Sequence, residues 1–289
     1  MSTQSLRALL AQRKGASLMM PGVGTALEAR IAESVGFESI YVSGYGTSAW
    51  RHAIPDIGLI GLGEISASLQ AVSEVTTVPL MVDADTGYGD VTNVVAAVRQ
   101  LEARGASAVQ LEDQTWPKRC GHMAGKSVVE SGVMERKIRA AVEGRTSSET
   151  MIVARTDARG PVSLADALER AKRYVDAGAD AIFVEAPESK AEMEQVVAAV
   201  PSILIANMSE SGLTPAMTKT ELQELGFDVI LYPSSGVRVA AKALTGFFTD
   251  LLAVGDSSAW VPQQATLTEL NALVGLADYQ ALEVAAGDA

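Results

Sequence analysis

One cysteine and two histidines are all that 289 residues supply of the side chains that favour soft metals. His52 and His122 lie far apart in sequence, so a zinc site of ordinary composition is excluded, as is an internal disulfide framework. Apolar runs of eighteen residues are missing too, which removes a membrane-spanning helix. Positive charge is scarce: 23 Lys and Arg stand against 35 Asp and Glu, a formal charge of −12. Nucleic acid and anionic membrane surfaces would be repelled by that field, whereas small anionic substrates remain open to any local gathering of cations. No Gly/Ser linker divides the chain, and the stretch 2–13 is polar and helix-like rather than a signal peptide, so a cytoplasmic protein is expected.

What is present is an ample supply of core. Apolar residues make up 48% of the chain, enough for one large hydrophobic interior and a single domain over 1–289. Short apolar runs occur at 18–20, 39–42, 79–82, 108–111, 151–154, 181–184, 203–206 and 229–231. Amphipathic stretches with three- and four-residue spacing lie between them, among others at 91–104, 134–143, 164–177, 190–200 and 218–225. Gly36, Gly105, Gly178 and Gly226 fall where a helix should stop before the next strand. Eight such units with right-handed crossovers predict an α/β fold, a (β/α)8 TIM-type barrel. Beyond it, Leu267, Leu270, Leu273, Val274, Leu276, Tyr279 and Leu282 recur at helical spacing. They predict extra C-terminal helices in an extension at about 255–289, which could cap their own barrel or another subunit's.

The first polar residues after the runs are Ser43, Asp83 and Asp85, Glu112 and Asp113, Arg155 and Asp157, Glu185, Asn207 and Ser209, Tyr232 and Ser234. A barrel brings all of these to its C-terminal rim, where barrel enzymes keep their active sites. The cluster is rich in carboxylates. Asp83-Ala84-Asp85 is expected to put two of them on one side of an extended segment. With Glu112, Asp56 and Glu185 they suit a Mg²⁺ ion that keeps several waters, or Mn²⁺ in its place. An ordinary Gly/Asp turn over 85–90 is the competing reading. Arg155 can hold a carboxylate in fork geometry with Asp157 steadying it, or form a plain rim salt bridge. Arg238, at the start of the last barrel helix, offers a second anion contact or is simply solvated.

The solitary thiol falls in Lys118-Arg119-Cys120-Gly121-His122. Cations and an imidazole flank it and no apolar period passes through, so catalysis is favoured over packing.

Taken together, Tyr41-Val42-Ser43-Gly44-Tyr45, Pro55-Asp56-Ile57-Gly58, Asp83-Ala84-Asp85-Thr86-Gly87, Glu112-Asp113-Gln114, Lys118-Arg119-Cys120-Gly121-His122, Ala154-Arg155-Thr156-Asp157-Ala158 and Ala206-Asn207-Met208 resemble the isocitrate lyase/phosphoenolpyruvate mutase superfamily, in the order that family uses. The cysteine run is similar to its carbon–carbon lyases and is typically missing from the phosphonate mutases. The resemblance implies that Cys120 is the proton donor on a gating loop at 116–127, moving on Gly121 and Gly125. It implies Mg²⁺ on Asp83 and Asp85, with Asp56, Glu112 and Glu185 nearby. Ser43, Gly44, Arg155 and Asn207 would hold the substrate, and Tyr45, Lys118, Arg119, Gly121, Glu185, Ser209 and Arg238 are further candidates around it. His122 is expected to assist the thiol.

The implied reaction is a retro-aldol or reverse Claisen cleavage. Tyr41 and Glu112 are both candidates for the base that takes the hydroxyl proton. Arg155 would stabilise the enolate-like product that Cys120 protonates. The expected partner is a small di- or tricarboxylate, not nucleic acid or membrane, and the implied assembly is a homotetramer of helix-exchanged dimers. Methylisocitrate lyases carry a further arginine in the C-terminal region, and the alignment puts Leu267 there. The segment 112–123 looks closer to the branch containing 2,3-dimethylmalate lyase and the petal death protein. A substituted malate is therefore the expected substrate, giving pyruvate and propionate from 2,3-dimethylmalate. Methylisocitrate cleavage to pyruvate and succinate, oxaloacetate hydrolysis, and a dicarboxylate-binding barrel without turnover are the alternatives.

Overall fold

The structure is a computed structural model that describes residues 4–13, 15–121, 123, 125–210 and 212–287. Eight strands form one closed parallel barrel: β1 (Leu18–Val23), β2 (Ile40–Val42), β3 (Leu80–Asp83), β4 (Ala106–Glu112), β5 (Met151–Thr156), β6 (Ala181–Val184), β7 (Ile203–Asn207) and β8 (Val229–Tyr232). Each pairs with its sequence neighbours, and β1 closes on β8 with Leu18 opposite Val229. Each overlaps one of the apolar runs read from the sequence, with β2 and β3 starting one residue later than read.

The helices are α1 (Leu6–Arg13), α2 (Ala26–Ser34), the single turn α3 (Gly44–Gly46), α4 (Leu62–Ser73), α5 (Val91–Ala103), α6 (Ser131–Gly144), α7 (Leu164–Asp176), α8 (Lys190–Ala199), α9 (Lys219–Leu225), α10 (Ser235–Val254), α11 (Leu267–Leu273) and α12 (Leu276–Ala286). Several of their starts are fixed by side-chain caps. Ser163 and Ser189 accept the backbone N–H of Asp166 and Glu192, and Thr218 with Glu221 forms a reciprocal capping box. The four predicted stop glycines all have positive φ, from 99° at Gly36 to 109° at Gly226. Among the described residues no helix is long and apolar enough to cross a membrane.

Two apolar layers result. The larger lies between barrel and helices, from Val23 and Ile40 on the strands to Ile65, Leu101, Ile138 and Tyr174 on the helices. The smaller fills the barrel, where Leu18, Met20, Tyr41, Met81, Ala108, Met151, Val153, Ala181, Phe183, Ile205 and Leu231 meet. Leu6 and Leu9 of α1 join this inner cluster. Arg7 on the same helix pairs with Asp180, just before β6, at 2.6 Å. The helix therefore seals the end of the barrel at which the strands begin.

Strand periodicity sets what happens at the other end. Side chains two residues apart share a face, so six of the eight columns of inner apolar residues run into a polar group: Tyr41 into Ser43, Met81 into Asp83, Ala108 into Gln110 and Glu112, Val153 into Arg155, Phe183 into Glu185, and Ile205 into Asn207.

Candidate active site

Those inward columns converge on a cavity of about 290 Å³ lined by Tyr41, Ser43, Tyr45, Asp56, Asp83, Lys118, Cys120, Gly121, Arg155, Glu185, Asn207, Ser209 and Arg238, with Phe183, Leu231 and Pro233 among its apolar wall. Most of the residues read from the sequence are thus brought to one place. Cys120, half-buried and outside any disulfide, stands among its lining residues. His122 lies outside the described residues.

Asp85 enters the site by a different route from the one expected. The strand ends at Asp83, and Asp85 has a φ of +46°, so the chain turns instead of continuing extended. Its own N–H donates to Asp83 Oδ1 at 3.1 Å, which holds the unfavourable backbone in place. Period-two alternation therefore does not pair these carboxylates; a tight turn does.

Lys118 is buried, neither solvated nor reaching out of the loop. Its Nζ lies 2.5 Å from Asp56 Oδ1 and 2.9 Å from Asp85 Oδ1. Arg119, by contrast, is exposed and does not line the cavity. Its backbone is gripped by the Gln114 side chain, which accepts from Arg119 N–H at 3.0 Å and donates to its carbonyl at 2.8 Å. Gly44 also stands behind the lining, its N–H donating to Asp83 Oδ2 at 3.3 Å. A Cβ at Gly121 would fall 2.4 Å from both Arg155 Nη2 and Glu185 Oε1, so only glycine lets the loop backbone lie on the rim this closely.

Arg155 carries out the fork pairing foreseen for it, but toward the protein's own carboxylate. Its Nε and Nη2 donate to Asp157 at 2.8 and 2.9 Å, and Glu112 and Glu185 flank it at 3.4 and 3.8 Å. Its guanidinium also lies 5.1 Å from the centre of the Phe183 ring. Glu185 accepts from Asn207 Nδ2 at 3.2 and 3.3 Å. Arg238 meets Glu210 Oε2 at 3.3 Å and donates to the Glu210 carbonyl at 2.5 Å, so its partner in this state is Glu210.

Electrostatically the site is overfilled with negative charge. Asp56, Asp83, Asp85, Glu112, Asp157 and Glu185 surround Lys118, Lys126 and Arg155, all of them buried or nearly so. Burial, with the charges of Asp83 and Asp56 added and Lys118 opposing, pushes the Asp85 carboxyl up to about 7. Burial likewise drives Glu112 well above the carboxylate range against the pull of Arg155. Tyr41 is raised by burial and then by Asp83, so it keeps its proton and acts as a donor. Asp157 goes the other way: burial would raise it, yet Arg155 and Lys126 hold it at about 2.

Among the described residues no three His, Cys, Asp or Glu side chains form a ready-made metal cage. The donors present nevertheless fit a hard cation that retains most of its water. They are all oxygen, they carry excess negative charge, and Glu112 Oε1 is buried with no hydrogen-bond partner.

Gln110 and Lys126 had not been singled out in the sequence, and Asp113, read as a rim residue, lies behind the rim. Gln110 accepts from Tyr41 O–H at 3.2 Å and reaches Asp83, a place its alternation with Glu112 could have revealed. Asp113 is a buried knot behind the rim, accepting from Thr156 Oγ1 at 2.7 Å, Asp157 N–H at 2.8 Å and Tyr174 O–H at 2.8 Å. Lys126 ties the far side of the loop to Asp157.

Comparison with known proteins places this geometry in context. The phosphoenolpyruvate phosphomutase family profile matches residues 6–252. The chain is 39% identical over 278 residues to the 2,3-dimethylmalate lyase of Eubacterium barkeri, covering 96% of each. It is 40% identical over 275 residues to a 2-methylisocitrate lyase of Aeropyrum pernix, covering 95% of this chain and 88% of that one. Among solved structures, an oxaloacetate acetylhydrolase bound to 3,3-difluorooxaloacetate superposes with a TM-score of 0.92 at 32% identity, covering 96% of this chain and 95% of the other.

Proposed function

This chain belongs to the phosphoenolpyruvate mutase/isocitrate lyase superfamily, and from that premise we propose that it is a Mg²⁺-dependent carbon–carbon lyase cleaving a substituted malate, with 2,3-dimethylmalate as the first choice. The observation that carries this reading is the convergence of Cys120, Arg155 and the Asp83 carboxylate on one cavity that also has an apolar wall of Phe183, Leu231 and Pro233, with Glu112 3.4 Å from Arg155. Charged groups suit the two carboxylates of a malate, and the wall suits its alkyl substituents.

Asp83 and Asp85 would hold the cation, with Asp56, Glu112 and Glu185 nearby. When bound, Mg²⁺ supplies Lewis acidity that lowers the pKa of the substrate hydroxyl and stabilises the forming keto acid; Mn²⁺ would substitute. Glu112, in its ionised form, would take the hydroxyl proton through Oε1, which is buried with no hydrogen-bond partner. The O–H electrons become the new C=O of pyruvate. The C2–C3 bonding pair moves onto C3, giving the enolate-like dianion of propionate. Arg155 stabilises the charge on its carboxylate, and Cys120 delivers a proton to C3. Tyr41, which keeps its proton, donates a hydrogen bond within the site, and Ser43, Asn207 and Ser209 orient the substrate.

The same reading makes the protein a cytoplasmic homotetramer, one barrel unit with its C-terminal helices exchanged between subunits. Support comes from apolar side chains left open on these helices: Phe248 is 58% exposed, Leu267 74% and Tyr279 67%.

The test is release of keto acid from 2,3-dimethylmalate, methylisocitrate and oxaloacetate, with Mg²⁺ and with EDTA. Metal-dependent pyruvate release that is fastest with 2,3-dimethylmalate is expected. Faster cleavage of methylisocitrate would transfer the assignment to the tricarboxylate lyases represented by the Aeropyrum relative. Oxalate and acetate from oxaloacetate would point to the hydrolase.

A further inference from the structure

We propose that Lys126 is a positioning residue that clamps the cysteine-bearing turn onto the rim and ties it to the arginine at the reaction centre. Its side chain is 6% exposed, and its ammonium reaches in two directions. It donates to the Gly121 carbonyl, next to Cys120, at 2.5 Å, and to Asp157 Oδ1 at 2.8 Å. Asp157 in turn holds Arg155 through both of its oxygens. One buried cation therefore joins the loop backbone beside the thiol to the carboxylate that aims the arginine.

The rest of the loop shows why this bond matters. Its two legs are already fastened at the base: Thr115 N–H donates to Ser127 O at 2.9 Å, Val129 N–H to Asp113 O at 2.8 Å, and Gln114 pairs with Val128. Gln114 also grips Arg119. None of these contacts draws residue 121 down onto Arg155 and Glu185, where no Cβ could fit. Lys126 does, because an ammonium can donate to a carbonyl and a carboxylate at once. Methionine at this position would keep the length and apolar stem, lose both bonds, and leave the Gly121 carbonyl without that donor.

A residue that only neutralised Asp157 would affect stability alone. One that positions the turn also governs access to Cys120 and the alignment of its proton transfer. As the chain has a single cysteine, iodoacetamide reports on that one thiol without ambiguity. In the full-length protein well below its melting temperature, Lys126→Met should be alkylated about tenfold faster than wild type or more, because the turn opens without global unfolding. Lys126→Arg, able to donate to the same two oxygens, should stay near the wild-type rate.

The catalytic consequence rests on the lyase reading. With 2,3-dimethylmalate and Mg²⁺, Lys126→Met should lose up to about 100-fold in kcat with a much smaller change in KM, as a misplaced reacting group does. Alkylation of Lys126→Met at the wild-type rate, or equal loss in Lys126→Arg, overturns the proposal. Should the methionine variant not fold, amide hydrogen exchange of the wild-type segment 116–127 decides: slow exchange supports the clamp, and exchange at the rate of open chain refutes it. Absence of any lyase activity in the wild type would defeat the function and leave the alkylation result to judge the clamp.

Discussion

The two ends of this barrel are closed by opposite means. Where the strands begin, Leu6 and Leu9 of α1 complete an apolar interior, and charge is confined to peripheral pairs such as Arg7 and Arg145 on Asp180, each 2.6 Å away. Where the strands end, the same inward columns finish in polar groups, three of them the acids Asp83, Glu112 and Glu185, and the covering loop arrives with cations: Lys118 on Asp56 and Asp85, Lys126 on Asp157. The first end gains stability by excluding water from hydrocarbon. The second holds ionisable groups out of water, a stabilising arrangement only where each finds an opposite charge. One end is a seal and the other a reaction chamber.

Substitutions at the two ends should therefore separate stability from chemistry. The largest effect is expected at Cys120. Cys120→Ser should lower keto-acid release by about 10²- to 10⁴-fold, the usual contribution of a placed proton donor, with an unchanged melting temperature. Wild-type-like turnover would remove the thiol from the reaction.

At the sealed end, Leu6→Ala should lower unfolding free energy by about 2–5 kcal/mol in urea titrations, as buried leucine truncations do. Specific activity of the folded fraction should be kept. A loss of turnover without a loss of stability there would dissolve the distinction between the ends.

Asp157 joins both kinds of effect. Its folded-state pKa is depressed to about 2, below the ordinary value of about 3.9, so its contribution is complete above the unfolded pKa and disappears as pH falls through the folded one. Asp157→Asn should cost about 2–3 kcal/mol at neutral pH. Denaturation between about pH 4 and 2 should then be less pH-dependent than in the wild type. The smallest effect belongs to Arg119→Ala. As an exposed side chain outside the cavity, it should change stability by no more than about 0.5 kcal/mol and leave KM nearly unaltered.

What could be read from the chain follows the same physics. All eight strands were legible as short apolar runs, because a barrel wrapped in helices buries both faces of its strands, and the rim residues followed as the first polar groups after them. Tyr41, Glu112, Arg155, Glu185 and Asn207 all stand where the two-residue strand period puts them. Past the strand ends the period stops, and inference from spacing fails with it. Asp85 came into the site through a left-handed turn instead of alternation. In the loop, adjacent Lys118 and Arg119 went opposite ways, one buried against two aspartates and one into solvent. Lys126 gave no signal at all, since its partners Gly121 and Asp157 are joined only by the fold.

The most direct test is to locate a divalent cation. Crystals grown with Mn²⁺ and oxalate should give an anomalous difference peak beside Asp83 and Asp85, inside the cavity and beneath Cys120. A peak at some other carboxylate cluster, or none there with Mn²⁺ in millimolar excess, would contradict the assignment of this acidic rim as a metal-assisted lyase centre.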